Sequence, residues 1–208
     1  MYRRYLVVSL KIVAAVLATA AFTVGCSEDE NPNSKVVFDS SISRGTHKAD
    51  ECDKTGLWFT IGSFGTPAAG RTDPNDPESP LVDPPRPVEN GGSDQQGEVD
   101  LSCSVVSEGD GFRVRATATL TGATGGSVTV IGLFRRTGEQ PDITLSMTKK
   151  GETYTANNCV AKFDAAAGQE VESGRVWATI DCADAKYSND PGKACATRAE
   201  IRLENCSQ

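Results

Sequence analysis

Glu98 to Leu120 reads EVDLSCSVVSEGDGFRVRATATL, and its period decides the fold class. Val99, Leu101, Cys103 and Val105 alternate with Glu98, Asp100, Ser102 and Ser104. After the turn-forming EGDG of Glu108 to Gly111, Phe112, Val114, Ala116, Ala118 and Leu120 alternate with Arg113, Arg115, Thr117 and Thr119. Side chains on a strand point to opposite faces in turn, so a strict two-residue alternation on both sides of a glycine turn predicts a β-hairpin with one dry and one wet face.

Downstream the same grammar repeats. GATGG at Gly122 to Gly126 predicts a turn, followed by SVTVIGLFRR, TGEQPD, ITLSMTKK, a turn at Gly151, and TYTANNCVAKF. RVWATIDC at Arg175 to Cys182 and ATRAEIRLENC at Ala196 to Cys206 complete the run. In the last of these, Ala199, Ile201 and Leu203 oppose Arg198, Glu200, Arg202 and Glu204. The one stretch with helix propensity is Phe163 to Val171, where Gly168 interrupts Ala165 to Ala167, so a loop or a single turn is expected there. Residues 98–208 are thus read as a β domain. Upstream, KVVFD at Lys35 to Asp39 and the aromatic GLWFTIGSF at Gly56 to Phe64 predict N-terminal strands within 35–65. Residues 66–97 hold seven of the ten prolines and read as a long Pro/Gly-rich loop or linker. The expected fold is all-β, an antiparallel sandwich or partly closed barrel of about seven to nine strands.

The N-terminus carries a different signal. Arg3, Arg4 and Lys11 precede an apolar run from Ile12 to Val24, and small Gly25 stands directly before Cys26. A charged segment, a short apolar core and a small-residue cleavage site make a secretory leader over residues 1–25; the run is too short for a membrane span, which needs about 20 apolar residues. Cysteine at the cut, after Thr23-Val24-Gly25, resembles the lipobox of bacterial lipoproteins, with Thr23 in place of the usual leucine. That resemblance implies acylation of Cys26, palmitate among the chains, and a polar tether over 26–34. Ser27, where an aspartate would retain a lipoprotein at the inner membrane, implies the outer membrane. Beyond the leader, the chain resembles small bacterial lipoproteins of undefined function, with an SCSV strand at Ser102 to Val105, a GRVWA strand at Gly174 to Ala178 and a final strand ending ENC at Glu204 to Cys206. It is similar, more loosely, to mycobacterial lipoprotein antigens. No catalytic residue comes with either resemblance.

Cleavage removes three positive charges, taking the formal charge from −7 to −10. Such acidity argues against nucleic acid as a partner. With Cys26 acylated, Cys52, Cys103, Cys159, Cys182, Cys195 and Cys206 remain, an even set that an oxidising compartment would pair. Their spacing lacks the close pairs of a zinc site. Of the 15 possible connectivities, we expect Cys103–Cys206, which closes a long loop between outer strands, then Cys182–Cys195 across the last connection, and Cys52–Cys159 by elimination.

Enzyme signatures are missing. His47 is the single histidine, in a polar stretch, and no G-x-S-x-G elbow surrounds a serine. Gly65 to Thr72, GTPAAGRT, has phosphate-loop spacing but Arg71 in place of lysine and no helix to follow. Asp73, Asn75, Asp76 and Glu78 offer hard oxygens for calcium, yet Pro74 and Pro77 break the loop pattern and its sixth-position glycine is absent. No metal or cofactor is expected. Arg135 and Arg136 would join Lys149 and Lys150 in a basic patch if their strands paired at matching ends. The reading is a lipid-anchored, non-enzymatic envelope protein with a structural or binding role, its partner an envelope protein or glycan. Two alternatives are a carbohydrate- or protein-binding module using Trp58, Trp177 or Tyr154, and an extracytoplasmic hydrolase built on an acidic pair.

Overall fold

The computed structural model describes residues 33–65, 67–73, 76–82, 84–123 and 125–208, with backbone alone across 67–82. The leader, Cys26 and nearly all of the 26–34 tether lie outside the described residues. The alternation at Glu98 to Leu120 becomes β7 (Gly97–Glu108) and β8 (Gly111–Thr121), paired in register from Glu98↔Thr121 to Glu108↔Gly111. Val99, Leu101 and Val105 are fully buried, as are Val114 and, nearly so, Leu120. β9 (Gly126–Phe134), β10 (Gln140–Lys149), β11 (Glu152–Lys162), β13 (Arg175–Tyr187) and β14 (Asp190–Glu204) continue the antiparallel sheet, and β1 (Lys35–Ser43) and β2 (Gly56–Ile61) extend it beyond β14. The strand order is β2-β1-β14-β13-β11-β10-β9-β8-β7-β6, where β6 is Ser93–Asp94. Two short strands, β5 (Val88–Glu89) on β1 and β12 (Glu170–Glu172) on β13, bring this sheet to twelve strands, more than the seven to nine expected.

One sheet of this length curls until its first and last strands approach, and the inward faces fill the interior with Phe38, Phe134, Leu101, Ile143, Leu145, Met147, Ile180, Ile201 and Leu203. The barrel is nearly closed. β1 and β7 do not pair directly; short pieces fill the seam between them. Val99 N–H donates to Gly92 O and Val99 O accepts from Gly91 N–H, both at 2.8 Å, while Leu101 N–H donates to Asn90 Oδ1 at 2.8 Å. Further along, Val105 N–H donates to Ser207 O at 2.9 Å and Ser207 N–H to Cys103 O at 3.0 Å. The chain's last residues therefore lie parallel to β7 and cover an edge that would otherwise present unpaired amides.

The 66–97 segment departs from the expected linker. β3 (Pro67–Asp73) and β4 (Asp76–Val82) form a separate two-stranded sheet, and β5 and β6 belong to the barrel seam. A proline-rich composition disfavours a central strand but is tolerated in short pieces and at edges, where no ladder donor is needed at every residue. The helical candidate forms one 3₁₀ turn, Ala165–Ala167, with Asp164 Oδ1 accepting from Ala166 N–H and Gly168 closing it at φ 79°.

The disulfides are Cys52–Cys195, Cys103–Cys206 and Cys159–Cys182. Cys103–Cys206 is as expected; Cys182–Cys195 and Cys52–Cys159 are corrected. The expected loop between the last two strands does not exist, because β13 runs on to Tyr187 and β14 begins at Asp190. Cys182 stands across from Thr197 and Cys195 from Ala185, on either side of a register shift. Cys182 meets Cys159 on the adjoining β11, where Val160 pairs with Asp181. Cys195 meets Cys52 because the β1–β2 connection folds back over β14, with Ala194 N–H donating to Glu51 O at 3.1 Å.

Candidate functional site

Of the aromatic residues singled out in the sequence, Trp58 and Tyr154 are buried, at 8% and 3% exposure. They meet edge to face with ring centroids 5.4 Å apart, Tyr187 stacks on Tyr154 at 5.3 Å, and Lys149 Nζ lies 5.8 Å from the Trp58 ring. Burial drives the Tyr154 hydroxyl pKa upward, against the pull of Lys54. Trp58 and Tyr154 belong to the hydrophobic core, and Tyr187 packs against it.

Trp177 is different. It points outward between buried Val176 and Ala178 and is half-buried. Its Nε1–H donates to Glu200 Oε1 at 2.7 Å, and Gln169 Nε2 donates to the same oxygen at 3.2 Å. Phe64 stacks at 6.1 Å and the Arg202 guanidinium lies 4.9 Å from the ring centroid. A pit of about 80 Å³ beside it is lined by Gly168, Glu170, Arg175, Arg202 and Glu204 among others. The guanidinium over the indole face is a cation–π contact. Across the next strand pair, Asp39 of β1 faces Glu200. Partial desolvation, and then the Glu200 carboxylate, hold the Asp39 carboxyl above its ordinary value, against a backbone hydrogen bond from Ser40. Glu200 Oε1 is thus shared by Trp177 and Gln169.

His47 Nε2–H donates to Ala183 O at 2.9 Å, and its Nδ1 lies 3.6 Å from Glu51. It is tied to backbone and carboxylate rather than to a nucleophile. The four basic residues do not form a patch: Arg135 follows the end of β9, whereas Lys149 stands opposite its first residue, Gly126. Arg135 bonds Asp110 at 2.9 Å and Arg136 covers the Phe112 ring at 5.3 Å. The proposed calcium oxygens fall where side chains are not described. Among the described residues no group of His, Cys, Asp or Glu is placed to hold a metal ion, and no helix is long and apolar enough to cross a membrane.

What the sequence does not disclose lies on the outer face of β7 to β11. Strand register aligns Ser102, Thr117, Thr129, Ser146 and Thr155 in one row, and Asp100, Thr119, Ser127, Thr148 and Thr153 in the next. Neighbours within the rows bond directly, Ser146 to Thr155 at 2.8 Å and Thr148 to Thr153 at 2.9 Å. A third row sets Ser104, Arg115, Ile131 and Thr144 side by side. Where these rows meet the C-terminal residues, a groove of about 540 Å³ opens, lined by Ser102, Ser104, Val106, Arg115, Thr117, Thr129, Ile131, Ser207 and Gln208. Each strand shows polar alternation in the sequence; only the register joins them into a surface.

No protein-family model, curated protein or solved structure matches the chain.

Proposed function

We propose that the chain is an exported lipoprotein of the bacterial cell envelope, anchored through acylated Cys26, that acts as a non-catalytic binding component. The observation that carries this reading is the cysteine accounting. Cys52, Cys103, Cys159, Cys182, Cys195 and Cys206 are consumed in three disulfides, so the barrel holds no partner for Cys26. Three bridges are consistent with an extracytoplasmic location, because thiols stay reduced in the cytosol. The position of Cys26 after Gly25, with Ser27 following, supports lipidation and residence at the outer membrane. More than one acyl chain is needed for stable attachment, and lipoprotein acylation supplies that.

The binding role rests on the outer faces. An aromatic, a guanidinium and a carboxylate at Trp177, Arg202 and Glu200, beside a shallow pit, form the kind of mixed surface on which a sugar ring or a protein loop can rest. The partner class is an envelope glycan or protein. Expressed in a bacterial host, the full chain is expected in the membrane fraction and Cys26→Ser in the soluble exported fraction, with incorporation of labelled palmitate lost. Membrane retention and labelling of Cys26→Ser would overturn the anchor.

A further inference from the structure

The groove over β7, β8 and β9 combines three features on one wet sheet face. The first is a guanidinium without a close partner. Arg113 and Arg115 point the same way two residues apart on β8, but Arg113 Nε is bonded to Glu108 at 3.0 Å, whereas Arg115 makes no hydrogen bond or close ion pair among the described residues and meets the Glu108 carboxylate only through a longer-range attraction. Nearby Arg135 is likewise taken by Asp110. The second is exposed aliphatic surface. Only three large hydrophobic residues among those described stand exposed, and two of them, Val106 and Ile131 at 40% each, line this groove. Ile131 is the direct cross-strand neighbour of Arg115. The third is the bank of hydroxyls on the same floor, Ser102, Ser104 and the Thr117–Thr129 pair, which bond each other at 3.2 Å and keep further hydrogen-bonding capacity.

We infer that this groove binds an acidic glycan, with a sugar carboxylate on Arg115, sugar hydroxyls on the Ser/Thr rows and the C–H faces of the rings against Val106 and Ile131. A guanidinium presents parallel donors that match a carboxylate. The volume lies within the roughly 300–1,000 Å³ of small-ligand sites. A peptide adding a strand is disfavoured because the β7 edge beside the groove is already bonded to Ser207. Two aliphatic side chains are too little apolar area to anchor a helix. The groove is a second surface, apart from that of Trp177, and the inference rests on the reading of an anchored binding protein above; its failure is distinguishable, because anchoring is read by fractionation and ligand capture by titration.

The test uses the purified full-length exported protein and trigalacturonate as the probe, followed by calorimetry. Binding is expected to weaken about tenfold when the carboxylates are methyl-esterified, and about tenfold in Arg115→Gln with thermal stability unchanged. Ile131→Ser should weaken it several-fold, while Thr153→Ala, outside the groove, should not. Equal binding of the ester, unaltered binding by Arg115→Gln, displacement by equimolar inorganic phosphate, or no binding at millimolar probe would each overturn the inference.

Discussion

Replacing Cys103 and Cys206 together by alanine is expected to lower the unfolding free energy by about 4–5 kcal/mol. The bridge joins positions 103 residues apart, and the entropy that a cross-link removes from the unfolded chain grows with the logarithm of that separation. By the same relation Cys159–Cys182, separated by 23 residues, is expected to contribute roughly 3 kcal/mol. The seam bridge has a second consequence. It holds Ser207 against Cys103 and Val105, and without it that stretch of β7 becomes an open edge prone to intermolecular pairing. Urea titrations of the two double mutants should therefore rank the seam bridge as the costlier loss, accompanied by concentration-dependent association. A larger loss from the Cys159–Cys182 pair, with the seam mutant still monomeric, would contradict this account of closure.

Phe38→Ala is expected to cost about 3–5 kcal/mol. The ring is fully buried, lies between Ile201 on β14 and Ile61 on β2 in register, and sits 6.0 Å from Phe59. Its removal deletes a large apolar group from the barrel interior and leaves a cavity that rigid strands cannot collapse. Thr117→Ala, on the outer face of β8, is expected to stay within about 0.5 kcal/mol of the parent. Equal effects of the two substitutions would mean that the assignment of inner and outer faces is wrong.

Alternation alone makes the strand faces legible. Val99 to Leu120 sort into inside and outside from their order in the chain, because side-chain direction on a strand has period two. The 3₁₀ turn at Ala165–Ala167 is legible too, since Gly168 leaves only one turn of room. Register between strands is not. Nothing in the spacing of Thr117 and Thr129 says that they stand opposite, so the hydroxyl rows and the groove at Arg115 are invisible in the sequence. Two disulfides differ from expectation for a related reason. Cys182 and Cys195 are near in sequence, but pairing follows which inward positions face each other, and Cys159 faces Cys182 through the β11–β13 register. The 66–97 segment misleads because composition reports burial, while β5 and β6 are held by backbone bonds to β1 and β7. Trp58 and Trp177 have identical sequence credentials; a strand's outward phase places one of them on the surface.

Peptide mass spectrometry of the non-reduced protein extracted from bacterial membranes tests the central claim most directly. It should show Cys52–Cys195, Cys103–Cys206 and Cys159–Cys182 as cross-linked pairs, with an acylated Cys26 as the N-terminal residue. Free thiols among the six cysteines, or an intact 1–25 leader on a protein without lipid, would contradict it.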